Sequence, residues 1–318
     1  MPEPTPLPVV VDCDTGVDDA MAILYGLLSP GIEIVAIGCV WGNIQVEIAT
    51  TNTLRLLEIM DRPDIPVAMG AGKPLLGPMW ELGSGVHGAD GQGNTNLPPP
   101  KLRPTGESAA DQIVRLAHER PGELTLLPVG PLTNVAAALA RDPSIARLYK
   151  RVVLMGGAFL APGNAARWAE ANIWHDPEAA QMVFEAEWPV TAVGLDVTMK
   201  CMLDQASLDR LRDSGTPAGI HVHKITDYYL TRYAQRRGRR ECAMHDALAL
   251  GIAEDPSLIL RAAETQVDVE CRGEHTRGMT VAELREGRAP SRSNTRVVLE
   301  VDASRFVERW MTALMGRR

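Results

Sequence analysis

Four carboxylates fall within eight residues of the stretch Asp12-Cys13-Asp14-Thr15-Gly16-Val17-Asp18-Asp19. Carboxylates this close repel one another and resist ionising together unless a cation sits among them. A hard divalent ion bound through oxygen relieves that repulsion, and Gly16 permits the tight turn that brings the side chains together. Asp18 and Asp19 also stand where the positive end of a helix dipole favours acids. That simpler role leaves Asp12 and Asp14 unexplained, so the four together point to a cation site.

The elements that must position this cluster read as strand, loop and helix. Leu7–Val11 is a short apolar, β-branched run, Asp12–Gly16 a turn, and a helical pattern follows from about Asp18 to Leu28. A second strand, Glu33–Val40, ends at Trp41-Gly42-Asn43 and precedes a helix through Ile48 to Met60, completing a βαβ unit. Leu124–Val129 repeats the rhythm before Pro131 and a helix to Ala140, as does Arg151–Met155 before Gly156-Gly157. The alternation predicts an α/β fold: one Rossmann-like domain over residues 1–318, with a mostly parallel central sheet flanked by helices. Ligands of such sheets sit beyond the C-terminal ends of the strands, where the polar residues of this chain gather. Two stretches, a glycine-rich one at about 80–97 and an aromatic, basic one at about 217–240, read as lids added around a site.

Composition narrows the partners. With a net charge of −8, the 318-residue chain repels a phosphate backbone at long range, so nucleic acid is not an expected partner. The one basic run, Arg236-Arg237-Gly238-Arg239-Arg240, reads as a solvated helix end in so acidic a chain. Five widely spaced cysteines without a C-x-x-C pair suggest neither a disulfide framework nor a zinc site and fit a reducing cytosol. The N-terminal residues lack a basic region before an apolar one, and no apolar run approaches the ~20 residues of a membrane span. A cytoplasmic protein without membrane contact is expected.

Two enzyme families open on a motif of this kind. A strand followed by D-x-D resembles the haloacid dehalogenase-like phosphatases, in which Asp12 would be the nucleophile of a Mg²⁺-dependent reaction. Asp12-x-Asp14-Thr15-Gly16-x-Asp18-Asp19-Ala20 more fully resembles the inosine-uridine preferring nucleoside hydrolases, since the Asp18-Asp19 pair has no place in the phosphatase pattern. The hydrolase resemblance continues in order through Trp41-Gly42-Asn43, His87 to Gly91, Gly130 to Asn134 and Met155-Gly156-Gly157. It extends through Gly163-Asn164, Ala169-Glu170-Ala171-Asn172, His245-Asp246 and Gly278-Met279-Thr280-Val281.

That resemblance implies hydrolysis of ribonucleosides to ribose and free base, in purine and pyrimidine salvage, by an enzyme with bound Ca²⁺. Asp14, Asp19, Asp246 and the main-chain carbonyl of Val129 would hold the ion. Asp14 would also take a proton from a water whose acidity the ion raises. Asp18, Asn43, Asn164, Glu170 and Asn172 would surround the ribose hydroxyls, with Met155 beside them. Read singly, Asn164, Glu170 and Asn172 are also ordinary turn and cap residues. His245 would assist the leaving base, and His87, Tyr229 and Tyr233, the tyrosines one helical turn apart, would contact it. Family members are usually homodimers or homotetramers.

Two positions depart from the common pattern. Ala171 stands where the family usually has phenylalanine, and Ala247 where proline usually follows H-D. Both bear on the shape of the base pocket rather than on the ion. A third reading keeps the fold without the reaction: a catalytically silent, ribosyl-binding protein.

Overall fold

The computed structural model describes residues 5–79, 82–285, 288 and 293–316. From the N-terminus, strand β1 (Leu7–Cys13) leads into helix α1 (Val17–Leu28), β2 (Ile32–Cys39) into α2 (Val46–Ile59), and β3 (Val67–Met69) into the single turn α3 (Ser84–His87) and α4 (Ala109–Glu119). Then come β4 (Thr125–Pro128), α5 (Thr133–Arg141), α6 (Ile145–Leu148), β5 (Arg151–Met155), α7 (Ala171–His175), α8 (Pro177–Glu185), β6 (Val190–Val193) and α9 (Leu195–Thr198). Strand β7 (Met202–Asp204), α10 (Gln205–Asp213), α11 (Pro217–Arg237), β8 (Glu241–Ala243) and α12 (His245–Glu254) follow. The remainder is β9 (Ile259–Thr265), β10 (Val267–Val269), β11 (Thr280–Ala282), β12 (Thr295–Val301) and α13 (Ala303–Leu314).

Eight strands form one sheet in the order β3-β2-β1-β4-β5-β6-β12-β9, parallel throughout except for β9 against β12. The expected single α/β domain with a largely parallel sheet is what the chain adopts. Side chains alternate across the sheet with the two-residue period of a strand. Val9 and Val11 of β1 join one apolar layer with Met21, Leu24, Leu248 and Phe306. Val10 joins the other with Ile113, Leu126, Val135 and Phe184. Each such fully buried side chain contributes roughly 1.5–3 kcal/mol.

The order reverses between β1 and β4, which is where a sheet of this winding leaves a crevice at its C-terminal edge. Helices α1 and α12 pack side by side below that edge, and both are buried over most of their length. Their amino ends meet at the crevice. The first turns carry Asp18 and Asp19 on one helix and His245 and Asp246 on the other.

The two stretches read as lids take different forms. Residues 217–237 are one 21-residue helix, started by the Thr216 side chain and by Pro217, and stopped at Gly238 in the left-handed conformation. The other stretch, apart from Trp80 and Glu81, which lie outside the described residues, is α3 followed by turns. Gln92 anchors it to the chain at Gly16 and to His221. Arg232 joins the two stretches by donating to the Gly85 carbonyl at 2.7 Å.

Candidate active site

Asp14 is the first residue beyond β1, and its carboxylate is seized by the turn beyond β2. The Asn43 backbone N–H donates to Oδ2 at 2.6 Å and the Asn43 side-chain amide to Oδ1 at 3.1 Å. Gly42 makes this approach possible: its φ is +156°, and a side chain there would collide with the Asp14 carboxylate and Pro131. The same Asn43 amide reaches Asp19 at 3.2 Å, and Asp19 accepts the backbone N–H groups of Gly16 and Asp14 at 2.8 and 3.2 Å.

Carboxylate oxygens of Asp18, Asp19 and Asp246 come within 4.8 Å of one another, all buried. Burial, and then their mutual repulsion, hold Asp14, Asp18 and Asp246 well above the usual carboxylate range. Burial raises Asp19 as well, against the pull of its backbone donors. Oδ1 of Asp18 is buried without a hydrogen-bond partner. A hard divalent cation suits this donor set because it offsets the repulsion, and the orphaned Asp18 oxygen is free to accept from a polar ligand in the cavity.

The opposite wall comes from the ends of β4 and β5. The Asn172 amide donates to the Val129 carbonyl at 2.9 Å and to the Met155 carbonyl at 3.0 Å, holding the two strand ends together. Glu170 caps α7, accepting from the Asn172 and Ile173 backbones at 2.9 and 3.2 Å, and from Gly157 at 3.1 Å. Its burial outweighs those donors and pushes the carboxyl up to about 7. Asn164 accepts from the Ala171 backbone at 2.9 Å. Cap duty and a place at the cavity therefore coexist in the same side chains.

The third wall is aromatic. His87 Nδ1 accepts the Val17 N–H at 3.2 Å, which leaves its proton on Nε2, and its ring lies 5.1 Å from that of Tyr229. Tyr229 and Tyr233 have ring centroids 4.9 Å apart. The Tyr233 hydroxyl is 2.9 Å from His245 Nε2, and Thr198 Oγ1 is 2.7 Å from His245 Nδ1. Burial drives His87 down to about 3 and His245 to about 4, so both imidazoles are neutral near pH 7.

These walls enclose a cavity of about 500 Å³, in the range of small-molecule sites. Asp18, Asn43, His87, Val129, Met155, Asn164, Glu170, Asn172, Tyr229, Tyr233, His245 and Asp246 all line it, as the sequence reading had grouped them. Asp14 and Asp19 lie against it, tied in through Asn43. Asp12 does not belong to the site. It is fully buried and accepts from Asn134 at 2.8 Å, a place from which it attacks no substrate in the cavity.

The basic run is the exposed end of α11, as expected, with Arg240 paired to Asp227; the structure adds that Arg236 and Arg237 also line the cavity. Helical spacing held the signal, since Arg237 lies four residues after Tyr233 and eight after Tyr229. Thr198, Trp174 and Met199 also escaped notice; Trp174 sits one turn beyond Ala171, whereas nothing local marks Thr198 or Met199.

A profile of the inosine-uridine preferring nucleoside hydrolases matches residues 9–308. The chain belongs to that family. A pyrimidine-specific ribonucleoside hydrolase, RihA, of Klebsiella pneumoniae is 37% identical over 303 residues, covering 95% of this chain and 96% of the relative. Among solved structures, the plant nucleoside hydrolase PpNRh1 superposes with a TM-score of 0.93 at 33% identity, over 98% of this chain and 100% of that one. A purine-preferring ribonucleoside hydrolase from Gardnerella vaginalis does so at 0.91 and 34% identity, over 97% and 98%. This nucleoside hydrolase is thus an N-glycosyl hydrolase that splits ribonucleosides into ribose and base. The phosphatase reading and the silent-binder reading both give way to that assignment.

Proposed function

We propose that the enzyme hydrolyses ribonucleosides with calcium bound by Asp14, Asp19, Asp246 and the Val129 carbonyl. The observation that carries this reading is the convergence of buried carboxylates on one edge of the cavity, with an Asp18 oxygen left unpartnered. When bound, the ion supplies oxygen coordination for the ribose hydroxyls and acidity for the attacking water. Asp14 accepts the water's proton; Asn43, donating to both of its oxygens, fixes the carboxylate's direction. Asp18, Asn164, Glu170 and Asn172 orient the sugar, and their negative field favours the positive charge that develops on the ribose ring.

The base lies against His87, Tyr229, Tyr233 and His245. A neutral His245, oriented by Thr198 at Nδ1, serves the base as a hydrogen-bond donor from Nε2, the base taking the place of the Tyr233 hydroxyl that this nitrogen otherwise meets. The stretches around α3 and α11 act as lids over the bound nucleoside. A homodimer or homotetramer in a reducing cytosol belongs to the same reading. Its support is five unpaired thiols and exposed apolar side chains such as Leu76, Leu160 and Trp168. No helix among the described residues is long and apolar enough to cross a membrane.

A reducing-sugar assay with inosine, adenosine, guanosine, uridine and cytidine tests the reading. Equimolar ribose and free base from at least one nucleoside is the expected result. Silence across the panel by calcium-loaded protein would contradict it.

A further inference from the structure

Asn43 holds the Asp14 carboxylate, and it can do so only if the turn Trp41-Gly42-Asn43 is itself held. Trp41 fixes that turn from inside the protein. Its backbone N–H donates to the Ala71 carbonyl at 3.0 Å, and its indole N–H donates to Thr133 Oγ1 at 3.2 Å. The His175 ring meets it edge-on, with centroids 5.2 Å apart. Thr133 in turn donates its single hydroxyl proton to Asp176 Oδ2 at 2.8 Å, which leaves a lone pair for the indole. Asp176 is anchored independently. The same oxygen accepts the Leu75 N–H at 2.8 Å, and Oδ1 accepts the Ala179 N–H at 3.2 Å in the first turn of α8. Trp41, Thr133 and Asp176 are all buried, and none of them lines the cavity.

We infer that Thr133 is a positioning residue for the reaction, holding Asp14 in its productive direction through Trp41 and Asn43. This rests on the reading above, in which Asp14 takes the proton of the attacking water and helps to bind the ion. The contacts run in one line from a fixed acceptor to the reacting carboxylate: Asp176, Thr133, Trp41, then two residues along the backbone Asn43, and Asp14. A hydroxyl is the group this line requires at position 133, because it must accept from an indole N–H and donate to a carboxylate at once. Valine there keeps the shape but breaks the link, leaving the indole N–H without its acceptor and the turn free to shift. Proton transfer is sensitive to small displacements of the base. The ribose contacts are not exposed to the same change: Asp18 stands on α1, and Glu170 and Asn172 on α7, whose junction with α8 at Asp176 keeps its two backbone donors. The loss therefore falls on kcat rather than on KM. An ion ligand that loses its outer support also binds the ion less tightly.

The test compares native enzyme with Thr133→Val, Thr133→Ser and Trp41→Phe. Val135→Ala is the control, a cavity in the apolar layer under the same helix that leaves this line of contacts alone. Kinetics at saturating Ca²⁺ on the nucleoside that native enzyme hydrolyses best give kcat and KM. Calorimetric titration of chelator-treated protein gives the Ca²⁺ affinity, and the melting temperature reports folding. Thr133→Val and Trp41→Phe should each lower kcat and Ca²⁺ affinity by ~10-fold or more, with KM within ~3-fold of native, and Thr133→Ser should restore both. Val135→Ala should melt lower yet keep native kcat and Ca²⁺ affinity. If Thr133→Val does not fold, Trp41→Phe carries the same prediction. Native kcat in either folded variant, a loss confined to KM, a loss that Thr133→Ser does not restore, or an equal loss in Val135→Ala would overturn this inference while leaving the hydrolase reading in place. Native enzyme that turns over without Ca²⁺ and does not bind it would overturn the calcium reading and this inference together.

Discussion

Asp14 has both carboxylate oxygens occupied by Asn43 before any substrate arrives, and it is buried. In the proposed role of general base, a carboxylate held this firmly would take a proton without first having to reorganise. Replacing Asp14 by asparagine keeps the size, removes the basicity and one charge of the ion site, and leaves one of the two acceptors that Asn43 uses. Asp14→Asn should lower kcat by roughly 10²–10⁴ while nucleoside binding, followed by calorimetry, survives. Near-native turnover would dismiss Asp14 as the base. Asp14, Asp18 and Asp19 were legible in the sequence because carboxylates crowd together there, an arrangement that electrostatics makes informative, whereas Glu170 and Asp246 came only with the family resemblance. Asp12 was the exception, since only the strand's alternation sends it to the other side of the sheet from Val9 and Val11. Thr198 was illegible: its contact with His245 depends on α9 and α12 packing together, across 47 residues of sequence.

At the level of elements, the site is assembled where the amino ends of α1 and α12 meet and where the turns after β1 and β2 interlock through Asn43. Apolar periodicity, β-branched runs and glycine punctuation made these strands and helices readable to within a few residues of their ends. The attachment of the glycine-rich segment was not readable, because it rests on long-range polar pairs. His221 Nε2 meets the Gln92 side-chain oxygen at 3.1 Å, and Gln92 in turn donates to the Gly16 carbonyl at 2.9 Å. Burial depresses His221 to about 4, against 6.5 in the unfolded chain. The unfolded state therefore binds the proton first, and the contribution of neutral His221 is complete above about pH 6.5 and is lost as pH falls toward 4. Asn at this position does not titrate. Whatever the fixed stability difference between native chain and His221→Asn, it should shift by about 2 kcal/mol against the native chain between pH 7 and pH 5. Denaturant unfolding at the two pH values measures this, and a difference independent of pH would mean that His221 is not held neutral.

For the molecule as a whole, strand order decides where chemistry happens. The reversal between β1 and β4 opens the crevice, and the carboxylates after β1 face the strand ends that carry Val129 and Met155 across it. The cavity is then electrically graded, with acids at one end and Arg236 and Arg237 at its mouth, on a chain whose net charge is −8. Fold class followed from the sequence because βα alternation leaves few solutions; the exposure of the basic run followed as well, but not the place of Arg236 and Arg237 beside the cavity, which depends on how α11 packs over it. The proposed mechanism needs a cation held by the aspartates for ribose release. Its most direct test is turnover of uridine and inosine by one protein sample before chelator dialysis, after it, and after Ca²⁺ is returned. Activity should disappear with the ion and come back with it; full activity in metal-free protein would overturn the proposed mechanism.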